Sequence, residues 1–238
     1  MLGISLLTLI LAEAALETIP EELWSHASVR RHSKRRRKSP KQLILDRSLH
    51  HLAMKRIGND LKRGRPDITH FVLLEALGSP LNKEKLLRVY VHTNQDYIIT
   101  INPVTRLPKN YTQFIGLMEQ LFEHGKVPHE GETLLDLKYQ TLQQFFSEIK
   151  PSYVLAFSTQ GKPKTIQDVV SVIQPMKSPT VIIGGFAHEH FKEETARRAN
   201  EIVCADPEML EAWTLTSRLI YDYEKSISLP TKRLHKPC

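Results

Sequence analysis

The chain has 238 residues, of which 41% are hydrophobic, so it is long and apolar enough to fold around a core. Its 33 Lys and Arg residues exceed its 26 Asp and Glu residues, and the net charge of +7 favours a polyanionic partner such as RNA or an anionic membrane surface. The two cysteines, Cys204 and Cys238, are too few for a disulfide framework or a Cys-rich zinc site, and they favour a reducing, intracellular setting.

An apolar run opens the chain, and Ala12-Glu13-Ala14 at its end superficially matches a signal-peptidase site. No basic residue precedes the run, Glu13 follows it at once, and the run is far shorter than the roughly 20 residues that span a bilayer. We therefore predict a buried strand over residues 6–11. Helix-like spacing of apolar residues follows over residues 14–29.

The densest charge run in the chain covers residues 30–38, Arg-Arg-His-Ser-Lys-Arg-Arg-Arg-Lys. Because like charges repel and resist packing, we expect a solvated basic loop over residues 29–41. An arm that binds phosphates and a nuclear-import signal are the alternatives.

The middle of the chain predicts helices and one β-hairpin. Asp67 is placed to cap a helix that Ser79-Pro80 stops. Two β-rich runs, residues 87–92 and 97–101, are separated by four residues and predict the hairpin. Periodicity predicts helices over residues 48–57, 67–77, 111–124 and 134–149, the last with a break near Lys138 as the alternative.

Strands and helices alternate in the last third of the chain, which implies a parallel sheet with helices on its faces. The predicted strands cover residues 153–157, 180–183 and 201–204, and the predicted helices cover residues 165–174, 188–200 and 208–225. Ligands of such sheets bind outside the carboxyl ends of the strands. The loops after Phe157, Ile183 and Cys204 are therefore the candidate ligand site.

These three loops contain glycines and free helix amides but no recognisable ligand-binding motif of side chains. The first covers residues 158–163, the second begins Gly184-Gly185-Phe186, and the third is Ala205-Asp206-Pro207, which leads into a helix. Glycine permits a positive φ and close approach of a ligand, although an ordinary turn is the alternative. No dinucleotide fingerprint or phosphate loop is present, so NAD and nucleoside triphosphates are disfavoured.

Charged residues form two further clusters in the middle of the chain. Arg65 and Asp67 lie two residues apart at a helix start, either as a surface charge and a helix cap or as an arginine that Asp67 orients towards a phosphate or a base edge. Arg106 and Lys109 lie in the loop before the next helix, and Gln113 lies on its first turn. A basic loop that feeds a helix N-terminus predicts a phosphate-binding surface.

The eleven histidines have no metal-ligand spacing, so we predict no metal site. No G-x-S-x-G motif is present, and serine hydrolase chemistry is disfavoured too.

Several blocks of the sequence resemble a known family, the ribosome-biogenesis methyltransferases of the SPOUT superfamily that modify a pseudouridine N1 in small-subunit rRNA. The blocks are Arg-Pro-Asp-Ile-Thr-His at residues 65–70, Ser-Pro-Leu-Asn at 79–82, Val-Tyr-Val-His-Thr at 89–93, Asn-Pro-Val-Thr-Arg-Leu-Pro at 102–108, Phe-Ile-Gly-Leu-Met at 114–118 and Ile-Gly-Gly-Phe-Ala-His at 183–188. The region before Arg65 matches only loosely.

The resemblance implies an α/β fold of the SPOUT type, with a parallel sheet, helices on both faces, an added β-hairpin and helical insertion, and a C-terminal trefoil knot. It implies one domain over residues 1–238, a knotted region over residues 153–225 that binds S-adenosyl-L-methionine (SAM), and a homodimer. The SAM pocket that it implies consists of Ser158, Gly184, Gly185, Glu189, Cys204, Ala205, Asp206, Pro207, Glu208, Met209 and Leu210.

The resemblance also places rRNA contacts on Arg65, Arg106, Lys109 and Gln113, with Asp67 supporting Arg65. Family members frequently have arginine where this chain has Lys109 and Gln113, and glycine where it has Glu189. Lys109 keeps the positive charge without the bidentate geometry of arginine, and Gln113 keeps only a hydrogen-bond donor.

The implied reaction needs a pseudouridine that is splayed out of an rRNA hairpin with its N1 facing the methyl group. Arg65 and Asp67 are the catalytic candidates, and we expect Asp67 to orient Arg65 because a carboxylate paired with arginine is a poor base. A non-catalytic rRNA-binding assembly factor is the main alternative, and a membrane-associated protein is another. We expect no membrane partner and an archaeal-type cytoplasm, or a nucleolus if the source is eukaryotic.

Overall fold

The computed structural model describes residues 5–235, so the first four residues of the apolar run and Cys238 lie outside the described residues. Eight strands form one sheet in the order β4-β5-β3-β2-β1-β7-β6-β8. They are β1 (Leu7–Ala14), β2 (Leu87–Thr93), β3 (Tyr97–Ile101), β4 (Lys126–Val127), β5 (Leu135–Tyr139), β6 (Tyr153–Pro163), β7 (Pro179–Gly184) and β8 (Glu201–Cys204).

Five of these strands, in the order β2-β1-β7-β6-β8, are parallel to their neighbours. The other three add an antiparallel extension, in which β3 pairs with β2 and β5 pairs with β3 and β4. The parallel sheet and the hairpin of β2 and β3 are both confirmed. Because parallel strands share a direction, the carboxyl ends of β1, β6, β7 and β8 meet at one edge of the sheet.

Ten α-helices surround the sheet in the described part of the chain. They are α1 (Ala27–Arg36), α2 (Arg47–Met54), α3 (Pro66–Gly78), α4 (Pro80–Lys83), α5 (Tyr111–His124), α6 (Leu142–Ile149), α7 (Ile166–Ile173), α8 (Glu193–Ala196), α9 (Ala212–Ser226) and α10 (Leu229–Leu234). Short 3-10 helices cover Glu21–Leu23, Pro40–Gln42 and Asp60–Lys62.

Both faces of the sheet are covered, as the SPOUT resemblance implies. Leu9 and Leu11 of β1 join the larger core cluster, which includes residues of α3, α5, α7 and α9. Ile10 and Ala12 point to the other face, where they join a second cluster with Leu142 and other residues of α6. A strand that is buried on both faces reads as an unbroken apolar run, which explains the start of the sequence.

Residues 15–65 form an excursion that leaves the sheet at the carboxyl end of β1 and returns to the same point. The backbone N–H of Arg65 donates a hydrogen bond to the carbonyl of Ala15 at 3.0 Å, and Thr18 bridges Ile44. The excursion has its own apolar cluster, made of Ile19, Leu23, Val29, Leu43, Leu45, Ala53 and Met54. It therefore carries α1 and α2 as a packed layer beside the strand end.

The expectation of a basic loop over residues 29–41 is wrong, because most of the charge run lies in α1. Tertiary contacts hold this helix in place. His32 contacts His50 of α2 at 3.0 Å, and Glu119 of α5 accepts from Arg36 at 2.8 Å and from Lys38 at 2.7 Å. The helix expected over residues 14–29 is also wrong, since only a 3-10 turn precedes α1.

Three further helix predictions are wrong in their extent. Residues 134–149 contain β5 before α6, because Leu135 is buried against the sheet and β5 pairs with β3. The helix expected over residues 188–200 shrinks to α8, and the one expected from residue 208 begins at Ala212. The helix over Tyr111–His124 is confirmed residue for residue.

Local chemistry at two predicted boundaries also differs from expectation. Asp67 lies inside the first turn of α3, whose N-cap is Arg65, so Asp67 is not the cap. Residues 158–163, expected as a loop, continue β6, and Lys162 and Pro163 pair with β8 after an irregularity in register. Ser79 ends α3 as predicted, and it also caps α4.

The contact between His32 and His50 predicts a pH dependence of stability. Nδ1 of His50 accepts from the backbone N–H of Asp46 at 3.0 Å, so its Nε2 carries the proton that faces Nδ1 of His32. Burial lowers the pKa of His50 from 6.5 to about 4. The unfolded chain therefore binds a proton that the folded chain excludes, and folding stability falls as pH drops from 6.5 to 4, by up to about 3 kcal/mol.

Urea unfolding measured across this pH range checks the expected loss. His50→Gln removes the titrating group, so the decrease in unfolding free energy between pH 6.5 and pH 4 becomes smaller than in the unmodified chain. His51→Gln is the matched control, since His51 is exposed on the same helix. Identical pH profiles for both variants would contradict the assignment.

Candidate functional site

A cavity of about 340 Å³ opens at the carboxyl ends of β7 and β8, beside the irregularity that follows Phe157 in β6. Residues 157–159 of β6 and the end of β7 form its floor, residues 186–191 and 205–211 form two walls, and the beginnings of α3 and α9 complete it. The lining residues are Arg65, Ile68, Phe157, Ser158, Thr159, Ile183, Gly184, Phe186, Ala187, His188, Glu189, His190, Phe191, Ala205, Asp206, Glu208, Met209, Leu210, Glu211, Ala212 and Leu215. The cavity thus lies where parallel strands usually hold ligands.

Most of the residues expected in the SAM pocket line this cavity, and three do not. The lining includes Ser158, Gly184, Glu189, Ala205, Asp206, Glu208, Met209 and Leu210. Gly185, Cys204 and Pro207 are not among the lining residues. Of the residues expected to contact RNA, Arg65 reaches the cavity, whereas Arg106, Lys109 and Gln113 lie outside it.

The two neighbouring glycines serve packing rather than an unusual backbone conformation. A Cβ on Gly185 would lie 2.6 Å from the Cα of Ala14, so no side chain fits there. The N–H of Gly185 donates to the carbonyl of Ala12, and its own carbonyl accepts from the N–H of Ala15, both at 2.8 Å. Neither Gly184 nor Gly185 has a positive φ. Gly185 therefore joins one wall of the cavity to the end of β1.

A buried ion pair fixes the wall formed by residues 186–191. The carboxylate of Glu13 accepts from Nζ of Lys62 at 2.6 Å and from the backbone N–H of Lys192 at 2.8 Å. Nζ of Lys62 also donates to the carbonyl of His190 at 2.6 Å and lies 4.0 Å from the ring centroid of Phe186. Glu13 is fully buried and Lys62 is 8% exposed, so these bonds form in a region of low dielectric constant.

The opposite wall contains carboxylates and an ordered turn. The thiol of Cys204 donates to the carbonyl of Asp206 at 3.0 Å, and a carboxylate oxygen of Asp206 accepts from the N–H of Glu208 at 3.0 Å. Cys204 and Asp206 thus shape the turn from within the chain. Because α9 begins only at Ala212, the helix amides expected directly after Pro207 are not there.

Arg65 and Asp67 form a bidentate ion pair at the edge of the cavity. Nε of Arg65 donates to Oδ1 of Asp67 at 2.9 Å, and Nη2 donates to Oδ2 at 2.7 Å. The hydrogen bonds that Arg65 donates to Asp67 raise the pKa of Arg65, so the guanidinium stays charged. Its Nη1 makes no hydrogen bond within the described chain and remains available as a donor.

The loop that carries Arg106 and Lys109 is held by polar contacts from the α3 and α4 region. Nε2 of His70 contacts the carbonyl of Pro108 at 2.8 Å, and the side-chain amide of Asn82 donates to the carbonyl of Pro103 at 2.9 Å. Arg106 and Lys109 are exposed and form no ion pair with another described residue. They form a fixed cationic surface outside the cavity.

The beginnings of α3 and α5 lie side by side. The ring of His70 stacks on Phe114 with centroids 4.3 Å apart, and Tyr111 donates to the carboxylate of Asp46 at 2.6 Å. Burial and this hydrogen bond raise the pKa of Tyr111, so it stays protonated. Asn110 caps α5 by accepting from the N–H of Gln113, which removes that amide from the expected phosphate cradle.

Residues 5–235 contain neither a metal-ligand cluster nor a membrane-spanning helix. No group of three or more His, Cys, Asp or Glu side chains there could hold a metal ion. No helix in that range has the length and apolar character needed to cross a membrane.

Glu13 and Lys62 are not among the residues that the sequence predicts for the site. A signal for Glu13 exists, because a carboxylate directly after a fully buried strand needs a cationic partner. Lys62 carries no comparable signal, since it lies at the end of a short 3-10 helix 49 positions along the chain from Glu13.

Lys62→Met is expected to loosen the wall formed by residues 186–191, because it removes two hydrogen bonds and a cation–π contact while keeping an unbranched side chain only one atom shorter. Hydrogen exchange of the amides of residues 186–192 measures this order and should be faster than in the unmodified chain. Lys55→Met is the control, since Lys55 is exposed. Unchanged exchange in the Lys62 variant would contradict the role of the ion pair.

The chain is similar to proteins of known name over nearly its whole length. The chain is 41% identical over 224 residues to the "Ribosomal RNA small subunit methyltransferase Nep1" of Thermococcus kodakarensis, covering 94% of this chain and 100% of that protein. It is 41% identical over 218 residues to the protein of the same name from Pyrococcus furiosus, covering 92% and 96%. The crystal structure of Archaeoglobus fulgidus Nep1 bound to S-adenosylhomocysteine matches with a TM-score of 0.82 and 36% identity, covering 94% of this chain and 99% of that one. Residues 9–224 match the family described as "EMG1/NEP1 methyltransferase", and the chain belongs to that family.

Proposed function

We propose that this chain transfers a methyl group from SAM to the N1 atom of a pseudouridine in small-subunit rRNA during ribosome biogenesis. The observation that carries the proposal is a cavity at the strand ends with an oriented arginine, Arg65, on its wall and an exposed cationic loop close by. Support comes from relatives named as small-subunit rRNA methyltransferases and from the related structure bound to S-adenosylhomocysteine.

The cavity suits SAM in size and chemistry. Its volume of about 340 Å³ falls within the range of roughly 300–1,000 Å³ that is common for small-molecule sites. Phe157, Ile183 and Leu210 offer apolar surface to a flat ring system. Asp206 and Glu208 offer negative charge to a ligand with ammonium and sulfonium groups. When bound, SAM supplies a methyl group on a positively charged sulfur.

The remaining residues of the predicted pocket act through backbone shape. Gly185 ties one wall to β1, and Cys204 orders the turn of the other. We propose that Ser158, Gly184, Glu189, Ala205 and Met209 complete the pocket and that Pro207 shapes the turn that carries Asp206 and Glu208. These residues belong to a proposed knotted SAM-binding region over residues 153–225 of a single domain over residues 1–238.

RNA binding would use the cationic surface outside the cavity. Arg106 and Lys109 are exposed without ion-pair partners, which suits contact with phosphates, and the exposed side chain of Gln113 can add a hydrogen bond. A pseudouridine splayed out of a hairpin would enter the cavity past Arg65, whose Nη1 can donate to an oxygen of the base.

Methylation of N1 also releases a proton from that nitrogen. Both oxygens of Asp67 already accept hydrogen bonds from Arg65, so we assign Asp67 as a positioning residue rather than the base. The proton leaves through water. Positioning of the nucleophile supplies most of the acceleration in this account.

We further propose a homodimer that forms through an exposed apolar face beside the cavity. Phe71 is 46% exposed, and its ring lies 5.0 Å from that of Trp213. Met209, which lines the cavity, is 59% exposed. An apolar face of this kind is typical of a protein interface. An archaeal-type cytoplasm is the proposed location, with the nucleolus as its eukaryotic counterpart.

Mass spectrometry of synthetic rRNA hairpins incubated with protein and SAM tests the function. We expect a single methyl group on the hairpin that carries pseudouridine and none on the hairpin that carries uridine, because uridine attaches to ribose through N1 and offers no free nitrogen there. Methylation of both hairpins would contradict the specificity. Binding of both without methylation would favour a non-catalytic assembly factor.

A further inference from the structure

The basic run contains two kinds of cation. Arg36 and Lys38 hold α1 to α5 through the buried carboxylate of Glu119. Arg30, Arg31, Lys34, Arg35 and Arg37 are exposed and form no ion pair with another described residue. Folding therefore uses two of these charges and leaves five facing outwards.

Four of the five unpaired cations share one face of α1. The buried side of the helix carries Val29 and His32. Arg30, Arg31, Lys34 and Arg35 lie on the opposite side, because positions separated by four residues stack on a helix surface. We call these four residues the outer face of α1.

Repulsion between the cations of the outer face lowers the stability of α1. Arg30 stacks on Lys34 and Arg31 stacks on Arg35, and like charges at this spacing repel. α1 contains no acidic residue that could offset them. Lys34 and Arg35 suit the negative end of the helix dipole, but Arg30 and Arg31 lie nearer its positive end, where cations are unfavourable. An external anion would remove this cost.

The outer face belongs to the same edge of the sheet as the cavity. The excursion that carries α1 leaves the carboxyl end of β1 and returns to it. The two ends of the excursion meet where the backbone N–H of Arg65 donates a hydrogen bond to the carbonyl of Ala15. Glu119, to which α1 is bound, lies on α5 six residues after Gln113, a rise of roughly 9 Å. α1 therefore extends the cationic surface of Arg106 and Lys109 away from the cavity.

We propose that the outer face of α1 binds the phosphate backbone of the substrate RNA, along the stem and away from the nucleotide that enters the cavity. The proposal rests on the proposed function and adds a second contact to it. Guanidinium groups on a fixed helix suit phosphate oxygens, and such contacts set the register of an RNA without reading its sequence.

The test compares two hairpins with the same pseudouridine loop, one with a long stem and one with only a few base pairs. The variant is Arg31→Gln, Lys34→Gln, Arg35→Gln. The control, Lys85→Gln, Lys150→Gln, Lys177→Gln, removes the same charge at the other edge of the sheet, just before β2, β6 and β7. Binding is measured by fluorescence anisotropy over a series of salt concentrations.

We expect the α1 variant to lower the slope of log K against log salt by about 2 for the long hairpin, since each lost phosphate contact removes roughly 0.7–0.9 from the slope. Its slope for the short hairpin, its methylation rate on that hairpin and its thermal midpoint should match those of the unmodified chain. The control variant should have the same slope as the unmodified chain on both hairpins.

An unchanged slope for the α1 variant on the long hairpin overturns the proposal, as does an equal loss on both hairpins. Arg106→Ala separates this failure from failure of the proposed function, because it should weaken binding to both hairpins. If the unmodified chain binds neither hairpin, the function fails and this inference with it. Sedimentation with phosphatidylserine vesicles that depends on the outer face, without any effect on RNA, would assign the face to a membrane and also overturn the proposal.

Discussion

The carboxylate of Glu13 has to find partners inside the protein, and the arrangement of the site follows from that need. Glu13 is fully buried at the end of a strand that is itself buried on both faces. An unpaired charge there would cost several kcal/mol. Lys62 neutralises it from the excursion after β1, and the N–H of Lys192 approaches from the loop after β7. One group thus joins three segments that are remote in sequence, and two of them border the cavity.

The site combines two surfaces with different chemistry, the cavity and the cationic surface beside it. The cavity at the strand ends is enclosed by aromatic, aliphatic and acidic side chains and suits a small cationic ligand. The surface beside it is cationic and suits a polyanion. Arg65 belongs to both, because it lines the cavity and starts the helix that packs beside the loop of Arg106 and Lys109. In the proposed function, the orientation of Arg65 by Asp67 therefore links the binding of RNA to the placement of a base.

Sequence patterns correctly predicted the elements that are stabilised mainly by residues close in sequence. The amphipathic spacing of Tyr111–His124, capped by Asn110, gave the bounds of α5, and the alternation after Tyr153 gave the parallel sheet and its ligand-binding edge. The wrong predictions concern segments whose secondary structure depends on contacts with residues remote in sequence. The charge run of α1 is helical because His50 and Glu119 hold it, and residues 135–139 form a strand because β3 is next to them. Gly185 reads as a ligand-binding glycine in the sequence, yet Ala14 is what requires it. The strand-end argument located the loops that line the cavity, whereas Glu189, Glu208 and Met209 were reached only through the family resemblance, since backbone-lined pockets leave little signal in side chains.

Isothermal titration calorimetry with S-adenosylhomocysteine tests the central claim, which is that the cavity at the strand ends is the SAM site. Ala205 lines the cavity, so Ala205→Trp should fill it while leaving the sheet intact. We predict saturable binding of one molecule per chain for the unmodified protein and none for the variant at an unchanged thermal midpoint. Absence of binding to the unmodified protein, or undiminished binding to the variant, would contradict the account.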